Sequence, residues 1–160
     1  MGTKESRRGP SGRILPDLTL GPDEVEARLR AFFPRSQVVL AYLFGSCARG
    51  EAKSSSDVDI AVLLEGCGAQ LYQGFRELIV GIREVLGTER FDLLLLNDAP
   101  PPLKFEVMVT GRLLYARSEW EQNAFEEAVL RTYLDTARLR AVQNEYLRER
   151  ARAWYSAKRR

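Results

Sequence analysis

Three aspartates and one glycine–serine pair carry the chemistry in this chain. Asp57 and Asp59 stand two residues apart at the entry to Ile60-Ala61-Val62-Leu63-Leu64. In an extended strand such residues face the same side, roughly 6.5–7 Å apart at about 3.3 Å per residue. Two carboxylates so placed repel one another and lose hydration. A hard divalent cation relieves both problems, and an all-oxygen donor set suits magnesium. Asp92 is the charge between Phe91 and Leu93 at the start of another apolar run. If that run lies beside the first, Asp92 completes a cluster able to hold one or two Mg2+ ions for an in-line phosphoryl displacement. Equally, it could take the proton of an attacking hydroxyl as general base. The sequence leaves those two roles open.

Gly45-Ser46 follows Val38-Val39-Leu40-Ala41-Tyr42-Leu43-Phe44 without a break. A glycine there lets the backbone approach a phosphate, amide groups at a helix start favour negative charge, and the Ser46 hydroxyl adds a donor. Arg49, about one helical turn on, is placed to neutralise triphosphate or departing pyrophosphate. Lys53 and Ser54 to Ser56 are expected in a loop across the site. Taken singly, a Gly-Ser after a strand is a common turn and an Asp-x-Asp a common solvated edge. The specificity lies in the combination of two such pairs, ten residues apart, each abutting a buried strand.

The elements that must position these groups follow from periodicity. Residues 1–20 are polar, with Gly9-Pro10 and Pro16, and are expected to be a flexible leader. Gly21-Pro22 opens a helix with Asp23, Glu24 and Glu26 at its positive end, and Pro34 stops it. Residues 38–44 and 58–64 read as buried strands, the first with both faces covered. Leu71, Phe75, Leu78, Ile82 and Leu86 recur at helical spacing before a Gly87 cap. Phe91 to Leu96 is a third strand, followed by a short helix to about Gly111 and a short edge strand at Leu113 to Ala116. Ser118 and Glu121 form a capping box for one final long helix reaching Ala153 or beyond. The expected division is a leader at 1–20, a core at 21–117 and a C-terminal helix with basic tail at 118–160. The fold class is α/β (α+β): a small mixed sheet with helices mainly on one face.

Composition narrows the chemistry further. The 160 residues are 45% hydrophobic and 29% charged, contain no histidine, and carry a net charge of +2. Ser-His-Asp and Cys-His catalysis and His-ligated zinc are thereby excluded. Cys47 and Cys67 make neither a disulfide framework nor a zinc site. The seven-residue run 38–44 is far too short to span a membrane, and the N-terminus lacks a signal-peptide core, so a cytoplasmic location is expected. Basic residues crowd both ends, with Trp154 and Tyr155 among the last of them. Without an RNA-binding motif, direct nucleic-acid binding is disfavoured.

Phe44-Gly45-Ser46-Cys47-Ala48-Arg49-Gly50-Glu51-Ala52, continued by Ser56-Asp57-Val58-Asp59-Ile60-Ala61-Val62, resembles the signature of the minimal nucleotidyltransferases of the DNA polymerase beta-like superfamily. Asp92-Leu93, Leu96-Asn97, Ala99-Pro100, Phe105-Glu106-Val107, Gly111 to Tyr115 and Tyr133-Leu134-Asp135 are similar to MntA-type antitoxins of type VII HEPN/MNT toxin–antitoxin systems. The resemblance spans about residues 22–147. It implies a nucleotidyltransferase fold, ATP as substrate and a cognate HEPN ribonuclease toxin as partner, silenced by transfer of AMP to a tyrosine. It makes Gly45 and Ser46 phosphate-binding, Asp57 and Asp59 the paired magnesium ligands, and Asp92 the third acidic residue, as metal ligand, general base or both. Alternatives are a free-standing small-molecule nucleotidyltransferase, such as one acting on aminoglycosides, and an antitoxin acting by binding alone. The short stretch after Gly111 favours an acceptor delivered by another protein.

Overall fold

The structure is a computed structural model describing residues 22–48 and 57–158. In chain order it contains α1 (Pro22–Phe32), β1 (Val38–Phe44), α2 (Gly45–Ala48), β2 (Val58–Leu64) and α3 (Gly68–Leu86). These are followed by β3 (Phe91–Leu95), α4 (Pro101–Thr110), β4 (Arg112–Ala116), α5 (Glu119–Asp135) and α6 (Ala137–Lys158). A 3-10 turn at Phe33–Arg35 contains Pro34, so the chain stays helical slightly past the expected stop.

The four strands form one mixed sheet in the order β3-β2-β1-β4. β1 pairs antiparallel with β2 and β4, and β2 pairs parallel with β3. The parallel pair requires a crossover, which α3 supplies. Its apolar stripe (Leu71, Leu78, Ile82 and Leu86) is buried against the sheet, and Gly87 ends it in the left-handed region at φ 66°. There the Gly87 N–H donates to Arg83 O at 2.8 Å. At the far end of the parallel pair, the Asn97 side chain accepts from Leu64 N at 3.0 Å and donates to Leu64 O at 2.9 Å. That amide replaces the next rung of the ladder and fixes the register of β2 against β3.

Helices cover both faces of the sheet, and the expectation of helices mainly on one face is corrected. On one side Val38, Ala41, Leu43, Ile60 and Val62 pack with Leu29 of α1 and Leu78 and Ile82 of α3. On the other, Leu40, Tyr42 and Ala61 pack with Val107 of α4 and Phe125 of α5. An unbroken apolar strand demands this, because alternation sends half of its side chains each way. The six residues Val38 to Leu43 are all buried. Tyr42 ties β1 to α5, its hydroxyl donating to Glu126 Oε1 at 3.4 Å. Burial and the nearby carboxylate push that hydroxyl far above the ordinary tyrosine value, so it stays a donor.

The final helix differs from expectation by breaking in two. Ser118 caps α5 as the sequence indicated, accepting from Glu121 N at 3.2 Å. At Thr136 the backbone leaves the helical region (φ −89°, ψ 2°). The Thr136 hydroxyl bonds back to Thr132 O at 2.8 Å, and its own carbonyl accepts from Arg140 N at 3.0 Å to start α6. A threonine hydroxyl competing for the i−4 carbonyl is a known cause of helix bending. Among the described residues, no helix is long and apolar enough to cross a membrane.

Candidate active site

The site lies at the end of the sheet where β1 finishes and β2 and β3 begin. Val58, Ile60 and Val62 pack toward α1 and α3, so Asp59 points to the opposite face, together with Ala61. The parallel register sets Asp59 directly beside Asp92. Neighbouring strands lie about 4.8 Å apart and registered side chains point the same way, so the two carboxylates share one patch. The adjacency on which the role of Asp92 depended is therefore present. Asp92 is exposed, whereas Asp57 and Asp59 are half-buried.

Gly45 has a sharper structural reason than the sequence suggested. The antiparallel register places Phe44 opposite Asp59, and Gly45 then turns the chain at φ +68° into α2. A Cβ built on Gly45 would lie 2.0 Å from Asp59 Oδ2 and 2.8 Å from its Cγ. The space that any side chain would fill holds the Asp59 carboxylate. Glycine is required twice over, by backbone sign and by this approach. Ser46 comes next, half-buried at the start of α2. Arg49 and the expected loop at Lys53 to Ser56 lie outside the described residues.

Sequence reasoning missed Arg90. Its side chain is only 5% exposed, and its Nε donates to Asp57 Oδ1 at 3.2 Å. The backbone is pinned as well: Arg90 O accepts from Val58 N at 3.2 Å, and Arg90 N donates to Thr88 Oγ1 at 3.1 Å. The available signal was spacing. Arg90 precedes Asp92 by two, so alternation puts both on one side of β3, but in sequence it reads as the end of a polar turn.

The donor chemistry fits a magnesium ion, since every candidate ligand is a carboxylate oxygen. Asp59 and Asp92 are adjacent, and Asp57 precedes the same strand. Among the described residues no group of three or more acidic, cysteine or histidine side chains closes into a ready cage. Mg2+ characteristically uses one or two carboxylates and takes its remaining ligands from water and substrate phosphates.

Residues 28–120 match the polymerase beta nucleotidyltransferase family. This chain belongs to that family. No curated protein matches it. Among solved structures, this nucleotidyltransferase is similar to a mutant MntA–HpeT toxin–antitoxin structure, with 24% identity and a TM-score of 0.59 over 80% of this chain and 99% of that one. A toxin–antitoxin structure with AMP-PNP gives 24% identity and a TM-score of 0.57 over the same shares. A tri-AMPylated Shewanella oneidensis HEPN toxin in complex with MNT antitoxin gives 22% identity and 0.59, over 79% of this chain and 99% of that one. At these identities the likeness is one of fold, and it extends over nearly the whole length of each of those chains.

Proposed function

We propose that this nucleotidyltransferase is an antitoxin that transfers AMP from ATP to a tyrosine of a cognate HEPN ribonuclease toxin and so silences it. The observation that carries the reading is the register that sets Asp59 beside Asp92, with Asp59 held against Gly45. The solved structures of similar fold, described as toxin–antitoxin complexes, one tri-AMPylated and one with AMP-PNP, support the choice of acceptor and nucleotide.

In this reading Asp57, Asp59 and Asp92 would hold Mg2+, which when bound would supply positive charge to the reacting phosphates. Ser46 donates to a phosphate oxygen, the Gly45 backbone leaves room for the triphosphate, and Arg49 neutralises the pyrophosphate. The tyrosine oxygen forms a bond to the α-phosphorus while the bond to the β-phosphate oxygen breaks. Pyrophosphate leaves, and the phenolic proton passes to Asp92 or to water. No histidine is needed. The setting is the cytoplasm, where ATP and Mg2+ are abundant.

The exposed face of α6 favours a protein acceptor. Leu139, Val142, Tyr146, Leu147 and Trp154 are each more than half exposed and share one broad side of the helix at the 3.6-residue period. α6 also borders an open groove of about 570 Å3, whose walls include Phe105, Glu106, Tyr133 and Arg140. There the Phe105 and Tyr133 rings stack at 3.9 Å, and the Arg140 guanidinium lies 3.7 Å from the Tyr133 centroid. α5 packs on the body through Phe125 and Val129, whereas α6 leaves a large apolar stripe uncovered.

The deciding experiment incubates the protein with ATP, Mg2+ and the protein encoded beside it, then weighs that neighbour by intact mass spectrometry. A gain of one or more AMP masses is expected. An unmodified neighbour, with label on a small molecule instead, favours the aminoglycoside-type alternative. Because α6 is exposed, Leu139→Asp combined with Tyr146→Asp is expected to leave thermal stability unchanged. The pair should weaken capture of the neighbour about ten-fold or more, the scale of one lost interface hot spot. Unaltered capture by calorimetric titration removes α6 from the docking surface.

A further inference from the structure

Two cross-strand pairs of side chains stand where β2 and β3 begin. Asp59 faces Asp92, a pair of like sign. Two residues earlier Asp57 meets Arg90, a pair of opposite sign. The second pair is the deeper one, since the Arg90 side chain is almost wholly enclosed. A guanidinium carries its charge at every physiological pH and holds its donors in a rigid fork. Buried at this point and anchored through both its backbone N–H and its carbonyl, it is a fixed positive charge beside the candidate metal site.

We propose that Arg90 is a positioning residue for nucleotidyl transfer, fixing the Asp57 carboxylate and offsetting part of the negative charge of the acidic patch. The inference rests on the reading of Asp57 and Asp59 as metal-holding residues. Its physical content has two parts. The Nε–Oδ1 hydrogen bond restricts the rotation of Asp57, so that the carboxylate meets the metal and substrate in one orientation. The nearby positive charge also opposes cation binding. The guanidinium lowers the negative potential of the acidic patch, which weakens capture of a cation by the protein alone. Tight binding is reserved for the metal–triphosphate complex, whose phosphates supply the missing negative charge. A residue that serves only to hold β2 against β3 would do neither.

The test uses the full chain without nucleotide, with Mn2+ as the probe and the free-ion electron paramagnetic resonance signal as readout. Arg90→Gln is expected to bind Mn2+ about five- to ten-fold more tightly than the parent, yet to transfer AMP about fifty-fold more slowly. Arg90→Lys keeps the charge and loses the fork. Its Mn2+ affinity should stay within about two-fold of the parent and its rate fall about ten-fold. Should Arg90→Gln fail to fold, Arg90→Lys decides alone, and a parental rate overturns the proposal. Unchanged Mn2+ affinity per folded molecule in Arg90→Gln, with only a lowered melting temperature, also overturns it. Asp59→Asn separates this failure from that of the underlying reading. If it abolishes Mn2+ binding while Arg90→Gln changes nothing, only the role of Arg90 falls. If Asp59→Asn leaves Mn2+ binding at the parental level both without nucleotide and with a non-hydrolysable ATP analogue, the metal site itself falls.

Discussion

Asp59→Asn is expected to lower AMP transfer by about 10^3-fold while leaving the protein at least as stable as the parent. The substitution keeps the shape of the side chain, so the close fit against Gly45 survives. What disappears is one negative charge at the centre of the acidic patch, flanked by Asp92 across the strand pair. Losing a single preorganised polar group in an active site commonly costs about 10^2–10^3 in rate. A carboxylate with the role proposed for Asp59, placing the cation on the reacting phosphate, belongs at the upper end of that range. Stability should move the other way. Like charges side by side on neighbouring strands cost about 0.2–1 kcal/mol. Relief of that repulsion should raise the melting temperature by about 1–3 °C in a chain of this size. Opposed effects on activity and stability mark a residue kept for chemistry rather than for the fold. Intact-mass measurement of the modified neighbour and a calorimetric melt test both halves. Undiminished transfer would remove Asp59 from the reaction. Loss of toxin neutralisation alongside transfer would also set aside an antitoxin that acts by binding alone.

The sheet was legible because its strands announce themselves. An unbroken apolar run at Val38 to Phe44, and Val58 to Leu64 with Asp59 as its one charged residue, leave little choice of element, and the observed strands have those bounds. The same run already implied cover on both faces, so helices on one face contradicted a feature in plain view. The chain break at Thr136 was less legible. Val129, Tyr133 and Ala137 keep helical spacing across it, and periodicity cannot register one threonine hydroxyl competing for a carbonyl. At the site, Asp57, Asp59 and the strand carrying Asp92 could be read from charge amid apolar neighbours. Their adjacency could not, because register depends on the Asn97 clasp and the α3 crossover rather than on any local signal. Arg90 was hidden for the same reason. Its partner lies 33 residues away in sequence, and only the parallel pairing of β2 with β3 brings them together.

Gly45→Ala, a change of one methyl group, is expected to damage the site nearly as severely as removing a catalytic carboxylate. Two costs combine. Holding an L-residue at φ +68° costs about 1–2 kcal/mol. The new Cβ would also stand 2.0 Å from Asp59 Oδ2, so either the carboxylate or the turn from β1 into α2 has to move. Misplacement of a reacting group by about 1 Å can cost 10^2-fold in rate, so a fall of about 10^2–10^3 in AMP transfer follows. Stability should drop by about 1–3 kcal/mol, within the range for strained or overpacked positions. A double-mutant cycle separates the two costs. In an Asp59→Ala background the crowded oxygen and Cγ are gone, and Gly45→Ala should then cost only the backbone strain and a residual 3.2 Å approach to the Cβ of residue 59. The expected coupling is about 1 kcal/mol by chemical denaturation, well outside the scatter of independent sites. Strictly additive losses would show that the carboxylate does not occupy the space of the missing side chain. With coupling present, Gly45 has a duty besides the phosphate role proposed for it: it is the wall against which the Asp59 carboxylate is held before any nucleotide arrives.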